Sequence, residues 1–241
     1  MSLLMEESPE TPRAKLPMTP VLITAATKWE AEPLAKGLGL SPAGAGRFEG
    51  TVAGRRVVLL KTGMGAAKTS AALETGFVAG DFGLAISAGL CGAMQPELKT
   101  GDLVADGAAV ELDLVVPLRE TAEKLGLRFH FGRLLHTNIV LAPEAKRKLG
   151  AEQRAVACDM ETAAVRRWAQ PKLSVIGVRV VLDEIHEELP ADAPEGEDAA
   201  SLARYALSHA AQLPGLIKTG MRSGRAMKNL TKFLKTYLET I

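Results

Sequence analysis

The segment "KLSVIGVRVVLD", residues 172–183, decides the fold class of this 241-residue chain. It is almost continuously apolar, it is rich in β-branched residues, and it ends in a carboxylate, Asp183. A strand with one face in water alternates apolar and polar side chains, whereas a strand buried on both faces is apolar throughout. The segment therefore predicts an inner strand of a sheet that is covered by helices on both sides.

Similar apolar runs recur along the chain and alternate with helical patterns. Further strands are predicted at 20–27, 55–65, 82–94, 101–113, 132–142 and 154–160, and helices at 28–38, 66–80 and 161–168. This alternation predicts an α/β fold, in which a single domain has a central mixed, largely parallel sheet flanked by helices. We expect this domain to span residues 19–241. Residues 1–18, which contain acids and prolines instead of a long apolar core, predict a disordered leader and not a signal peptide.

The composition excludes several classes of function. The net charge is +1, which gives no general attraction to nucleic acid, and aromatic residues make up only 4% of the chain, too few for a base-stacking surface. The two cysteines and four histidines have no metal-ligand spacing, so we expect no metal. No apolar run is long enough to span a membrane. Unpaired cysteines and the missing signal peptide favour a cytoplasmic protein.

Three acids, Glu30, Glu161 and Asp183, each follow an apolar strand. The carboxyl ends of parallel strands meet at one edge of a sheet, so these side chains are expected to converge. Two glycine-rich segments, 61–65 and 88–93, also follow strands and predict turns with exposed backbone amides. Convergent acids and free amides predict a site that binds a polar ligand and makes or breaks a bond near an oxygen or nitrogen.

Each acid also has a purely structural interpretation. In "VACDMETAAV", Asp159 would cap the following helix and Glu161 would lie in its first turn, where a negative charge suits the helix dipole. Asp183 would cap the turn after its strand. Glu30 would be a solvated residue of a first helical turn, as its neighbour Glu32 would be.

Three segments carry a resemblance to a known family. "ISAGLCGAMQPELKTGDLVAD", "ACDMETAAV" and "VRVVLD" occur in the order and spacing of the purine nucleoside phosphorylase and methylthioadenosine nucleosidase superfamily. The resemblance covers roughly residues 21–186. "RVVLDEIHEELP" and the tail "QLPGLIKTGMRSGRAMKNL" resemble the hopanoid-associated phosphorylase group within it. The resemblance implies a nucleoside phosphorylase-like fold and cleavage of the N-glycosidic bond of a purine nucleoside, with adenine as the leaving base.

The resemblance also implies roles for particular residues. Asp183 matches the acid that donates a proton to purine N7, and burial beside the apolar strand would raise its pKa as this role requires. Glu161 matches the carboxylate that accepts hydrogen bonds from both ribose hydroxyls, and Met160 matches a residue packed on the sugar. Glu30 matches the glutamate that activates water in the nucleosidase branch. No cofactor is implied, and the acceptor of the ribosyl group is phosphate or water.

Phosphate as a co-substrate is put in doubt by two departures from the family pattern. Leu90 stands where many phosphorylases have a serine, and Ile86 and Ser87 occupy the stretch that supplies an arginine. Loop amides remain as anion donors, and Ser87, Thr62 and Arg179 are candidate substitutes. The loop residues that we expect to bind substrate are Gly89, Leu90, Cys91 and Gly92.

The base-binding segment departs from the pattern as well. Val140 and Leu141 stand where relatives often stack an aromatic side chain on the purine, so the base would lie against aliphatic groups. We expect a small-molecule nucleoside as ligand, with an adenosyl lipid of hopanoid synthesis as one candidate, and a homo-oligomer as in relatives. The alternative from another class is a nucleoside-binding module that has lost activity, which Leu90 favours.

The C-terminal region predicts a basic amphipathic helix. Residues 201–241 contain seven Lys or Arg and one acid, and apolar residues recur between them at helical spacing. The favoured interpretation is a helix packed on the domain or on a partner subunit. The alternative is peripheral membrane contact, since such a helix can lie on an anionic lipid surface.

Overall fold

The structure, a computed structural model, describes residues 18–106, 112–189 and 213–241. For residues 112–113 and 213–219 it describes the backbone alone. Residues 1–17 of the predicted leader lie outside the described part. The strands are β1 (Val21–Ala25), β2 (Ser41–Pro42), β3 (Arg47–Val52), β4 (Arg55–Lys61), β5 (Leu84–Ala93), β6 (Leu103–Asp106), β7 (Phe129–Phe131), β8 (Arg133–His136), β9 (Ala155–Asp159) and β10 (Ser174–Asp183). The helices are α1 (Lys28–Leu38), α2 (Ala66–Gly76), α3 (Leu112–Leu125), α4 (Pro143–Gln153), α5 (Thr162–Ala169) and α6 (Leu213–Thr240), with a 3-10 turn at Ala79–Asp81.

One mixed sheet contains all of these strands. Eight of them follow the order β2-β3-β4-β1-β5-β10-β6-β7, and β8 and β9 lie off this path. The inner strands β4, β1, β5 and β10 are mutually parallel, whereas β3 pairs antiparallel with β4 and β6 with β10. β9 pairs antiparallel with the end of β5 and parallel with β8. The predicted mixed, largely parallel α/β sheet is therefore confirmed, and the inner strands direct their carboxyl ends to one edge.

Helices cover both faces of the inner strands, as the unbroken apolar runs predict. Alternate residues of β1 point to opposite sides: Ile23 packs in the cluster that contains α1, α3 and α6, and Leu22 packs in the cluster that contains α2 and α5. Both side chains have no exposed surface. Asp183 follows such a strand, which is why this carboxylate comes to the edge of a well-packed core.

The C-terminal helix α6 belongs to the core. Its apolar stripe, which includes Met227, Leu230, Phe233 and Tyr237, is at most 1% exposed. The ring of Phe233 stacks between Phe129 and Tyr237, with ring centroids 6.1 and 6.3 Å apart. This apolar face is buried within the chain, which supports the interpretation of a helix packed on the domain, while membrane contact through other parts of the helix stays a prediction. In the described ranges, no helix is long and apolar enough to cross a bilayer.

Two regions differ from the sequence-based expectation. The strand predicted at 101–113 ends at Asp106, and the helix α3 begins at Leu112, where "LDLVVPL" had the composition of a strand. Pro117 lies inside this helix, as its sixth residue, where it cannot donate the helical hydrogen bond to the carbonyl four residues earlier. The helix α4, rich in charge, was not predicted at all. The second difference matters for the site, because α4 supplies one of its buried cations, Lys146.

Candidate active site

A cavity opens where β1, β5 and β10 end, and it brings most of the predicted site residues together. It is lined by nine of them: Glu30, Leu90, Cys91, Gly92, Val140, Leu141, Met160, Glu161 and Asp183. The tenth, Gly89, lies directly behind the Glu30 carboxylate. Glu161 was expected to reach the site from the end of a parallel strand. Instead it follows β9, which runs antiparallel to β5.

Glu30 is buried and held at three points. Thr27 begins helix α1, and its backbone N–H and hydroxyl both donate to Glu30 Oε2 at 2.9 Å, which forms a capping box. The other oxygen, Oε1, accepts a hydrogen bond from the backbone N–H of Leu90 at 2.8 Å. The interpretation of Glu30 as a solvated residue is wrong, because only 4% of it is exposed. It describes Glu32 instead, which is exposed and pairs with Lys28.

The glycine segment 88–93 is a strand and not the expected turn. Leu90, Cys91 and Gly92 pair with β10, and Gly92 also pairs with Cys158 of β9. The Gly92 amide is directed at the Cys158 sulfur. The expectation of a loop with free amides for an anion is therefore wrong, since these residues belong to the sheet and the Leu90 amide serves Glu30.

Gly89 is required by a close approach of side chains. Its φ is +154°, and a Cβ added there would lie 2.7 Å from Arg179 Nη1 and closer still to Glu30 Oε1. Ordinary contacts of a Cβ begin at 3.4 Å. Only glycine lets the Glu30 carboxylate and the Arg179 guanidinium both lie so close to this strand.

Arg179 organises the carboxylates behind the cavity. It is 1% exposed, and its Nη2 binds Asp159 Oδ2 at 2.6 Å and Ser87 Oγ at 2.8 Å. Its Nη1 lies 3.4 Å from Glu161 Oε2. Burial disfavours the charged guanidinium, but Asp159, Glu161 and Glu30 outweigh this effect and raise the pKa of Arg179. Arg179 and Ser87, which the sequence offered as phosphate ligands, therefore bind protein groups.

Asp159 supports the start of a helix, whereas Glu161 faces the cavity. Asp159 Oδ2 accepts the backbone N–H of Thr162 at 3.0 Å and so supports the start of α5, as the structural interpretation expected. Glu161 faces the cavity, and its Oε1 accepts the backbone N–H of Gly65 at 2.8 Å. Burial raises the pKa of Glu161, while Arg179 acts against that shift. A carboxylate oxygen can accept two hydrogen bonds, so Glu161 retains acceptor capacity toward the cavity.

Asp183 is hydrogen-bonded to a buried lysine that the sequence did not predict. Its Oδ2 accepts a hydrogen bond from Nζ of Lys146, and the two residues are 4% and 1% exposed. Burial raises the pKa of Asp183, and Lys146 partly offsets this rise. Lys146 lies in "EAKRKL" of α4, among other basic residues, and nothing in that pattern distinguishes a buried lysine from a solvated one.

The side of the cavity formed by residues 139–141 is apolar. Ile139 is 67% exposed and Val140 39% exposed at the rim, whereas Leu141 is buried. Thr62, a candidate phosphate ligand in the sequence, is not among the lining residues, and its hydroxyl donates to the Gly63 carbonyl at 3.1 Å. Within the described residues, no three His, Cys, Asp or Glu side chains are grouped as a metal would need.

The sequence matches a known family over part of its length. Residues 20–121 match the model of the Phosphorylase superfamily. No match was found among curated proteins.

Solved structures match over almost the whole chain. Futalosine hydrolase of Helicobacter pylori superposes with a TM-score of 0.70 at 16% identity, over 93% of this chain and 99% of that one. The 5′-methylthioadenosine/S-adenosylhomocysteine nucleosidase of Campylobacter jejuni gives the same TM-score and identity, over 93% and 100%. The nucleosidase of Neisseria meningitidis, in complex with methylthio-immucillin-A, gives 0.68 at 18%, over 92% and 100%. The predicted fold is thus confirmed, and residues 20–121 are similar to the Phosphorylase superfamily.

Proposed function

We propose that this protein hydrolyses the N-glycosidic bond of an adenine nucleoside. The observation that carries the proposal is the position of Glu30, a buried carboxylate fixed by three hydrogen bonds at the cavity wall. A carboxylate held in this way is suited to take a proton from an attacking water molecule. The similarity to nucleosidases of the same fold supports this reaction.

Water suits the site better than phosphate as the nucleophile. Among the described cavity residues and their buried partners, the carboxyl groups of Glu30, Asp159, Glu161 and Asp183 face only two cations, Arg179 and Lys146. An excess of negative charge repels a phosphate dianion in a medium of low dielectric constant. The Leu90 amide, which lies where the family pattern places phosphate, already donates to Glu30.

The same charges suit the transition state of glycoside cleavage. Positive charge builds on the ribose as the bond to the base breaks, and preorganised carboxylates such as Glu161 stabilise it. Electrons pass into the purine, and Asp183, whose pKa is raised by burial, donates a proton to N7. Glu161 holds the ribose hydroxyls, and Met160 packs against the sugar at the cavity wall.

The 5′ substituent of the substrate is apolar in this proposal. Ile139, Met64 and Leu189 also line the cavity, beside the residues expected to contact the base, and Ile139 is exposed at its rim. A polar substituent would lose hydration there without gaining a partner. Methylthioadenosine is the smallest test compound of this kind, and an adenosyl lipid of hopanoid synthesis is the extreme member of the class.

The test is adenine release from adenosine and methylthioadenosine, with phosphate and in phosphate-free buffer. We expect release in both buffers, with free sugar as the second product and a preference for methylthioadenosine. Glu30→Gln should lower kcat by about 10²–10⁴-fold, the usual contribution of general acid–base catalysis. Glu32→Gln, an exposed neighbour in the same helix, is the matched control and should leave kcat unchanged.

Two results would contradict the proposal. Release that requires phosphate and yields ribose 1-phosphate would mean that the site accommodates an anion despite its carboxylates. Binding of both nucleosides without turnover would support the alternative, an inactive nucleoside-binding module.

A further inference from the structure

A lysine stands behind the candidate acid. Lys146 Nζ donates to Asp183 Oδ2, to the Glu184 carbonyl at 3.1 Å and to the Glu187 carbonyl at 2.7 Å. A lysine ammonium has three protons, so these three acceptors use its full donor capacity. Lys146 therefore has no free proton to offer a substrate, and it acts through Asp183.

The position of Lys146 is maintained by its surroundings. The segment after β10 that supplies the two carbonyls is itself held, because Glu184 pairs with Lys99 at 3.0 Å and Glu187 pairs with Arg222. The lysine is 1% exposed, so it is desolvated whether or not a substrate is present. Burying a charge in this way is costly, and it is compensated here by a carboxyl partner and two carbonyls.

We propose that Lys146 is the positioning residue that makes Asp183 an effective acid toward the leaving base. This inference rests on the proposed glycoside cleavage. As the bond between C1′ and N9 breaks, its electron pair passes into the purine. The O–H bond of Asp183 breaks, N7 gains the proton, and Asp183 becomes a carboxylate. The oxygen of the attacking water bonds to C1′, and Glu30 takes the proton that this water loses. Exchange with solvent then removes that proton from Glu30 and returns one to Asp183.

The ammonium acts mainly on the transition state. An ammonium attracts a carboxylate far more strongly than it attracts a neutral carboxylic acid, so the interaction strengthens as the proton leaves Asp183. An interaction that is stronger in the transition state than in the ground state raises kcat. The buried cation thereby offsets the cost of creating a buried carboxylate on Asp183.

Three other ionisable side chains near Asp183 do not favour its carboxylate form. Glu187, which follows β10, disfavours the Asp183 carboxylate. Cys158 of β9 and Cys91 of β5 also lie within electrostatic reach of Asp183, and both have a pKa raised by burial, so they are neutral at ordinary pH. Lys146 is thus the group among these that favours the Asp183 carboxylate.

The test compares Lys146→Gln with wild type on two substrates. Glutamine has two N–H donors, on a side chain one bond shorter than that of lysine, and it carries no charge. We expect adenine release to fall by about 10²-fold, at the lower end of general-acid contributions. Hydrolysis of 4-nitrophenyl riboside, whose leaving group needs no proton, should fall by less than about tenfold. Lys148→Gln, an exposed lysine of the same helix, is the matched control and should change neither rate.

The pH profile gives a second and independent result. Since Lys146 lowers the pKa of Asp183, its removal should move the alkaline limb of kcat/KM for adenosine to higher pH, with a lower maximum. An equal loss on both substrates, or an alkaline limb that stays in place, would overturn the role of Lys146 while leaving the hydrolase proposal intact. A wild-type protein that releases base from no nucleoside would overturn the proposed function and this inference together.

Discussion

Replacing Gly89 by alanine tests whether the Glu30 carboxylate and the Arg179 guanidinium must both lie close to strand β5. The added Cβ would lie 2.7 Å from Arg179 Nη1, and closer still to Glu30 Oε1, whereas ordinary contact begins at 3.4 Å. The two groups must therefore each move away from residue 89 by about 0.7–1 Å, a case of overpacking. The hydrogen bond from Leu90 N to Oε1, now 2.8 Å, would lengthen beyond about 3.5 Å and be lost.

Two magnitudes follow for the Gly89→Ala variant. Overpacking of a buried site costs about 1–3 kcal/mol in the free energy of unfolding. Displacing a catalytic group by about 1 Å costs on the order of 10²-fold in rate. Urea denaturation and the kcat for adenine release measure the two effects separately.

The control for this variant is Gly76→Ala. Gly76 ends helix α2, and a Cβ there would meet no heavy atom within 4 Å, so stability and kcat should stay close to wild type. If Gly89→Ala keeps the wild-type kcat, the tight arrangement of Glu30 and Arg179 is not needed for the reaction, and the reasoning on Glu30 as the base fails.

Two further predictions concern the core and the thiols. Phe233→Ala should lower the free energy of unfolding, measured by urea denaturation, by about 3–5 kcal/mol, because the ring is fully buried. Lys232→Ala, on the exposed side of the same helix, is the control and should change this free energy by less than about 0.5 kcal/mol. Burial raises the pKa of Cys158 to about 12 and that of Cys91 well above its usual range, so both thiols stay protonated at pH 8. A thiol-specific disulfide reagent should label neither cysteine in the native protein and both in urea; rapid native labelling would show that these thiols are not buried as described.

Features of the sequence that depend on local pattern were predictable. The helix at 28–38 has the expected bounds, and β10 begins two residues later than expected, because apolar periodicity and β-branched content report burial directly. The convergence of Glu30 and Asp183 on one cavity was predictable, because both follow or end apolar strands whose carboxyl ends meet at one edge of the sheet. The glycine segment 88–93 was misread, since a glycine that allows a close side-chain approach has the same sequence signature as a glycine in a turn.

Features that depend on tertiary contact were not predictable. Lys146 comes from a helix whose sequence looks entirely solvated, and its burial depends on Asp183, which is 37 residues away. Arg179 was noticed, but its partners on β9 and α5 could not be inferred from a strand in isolation. The start of α3 was missed because apolar β-branched residues near a proline are compatible with both secondary structures.

One carboxylate in this protein serves two structures at once. Glu30 closes the first turn of α1 through Thr27, and it also anchors β5 through Leu90. Fraying of that turn would therefore release the group that faces the cavity, without any change in the cavity wall itself. An inhibitor of this protein need not resemble a nucleoside. A molecule that binds outside the cavity and unfolds the first turn of α1 would displace Glu30 and so inactivate the site.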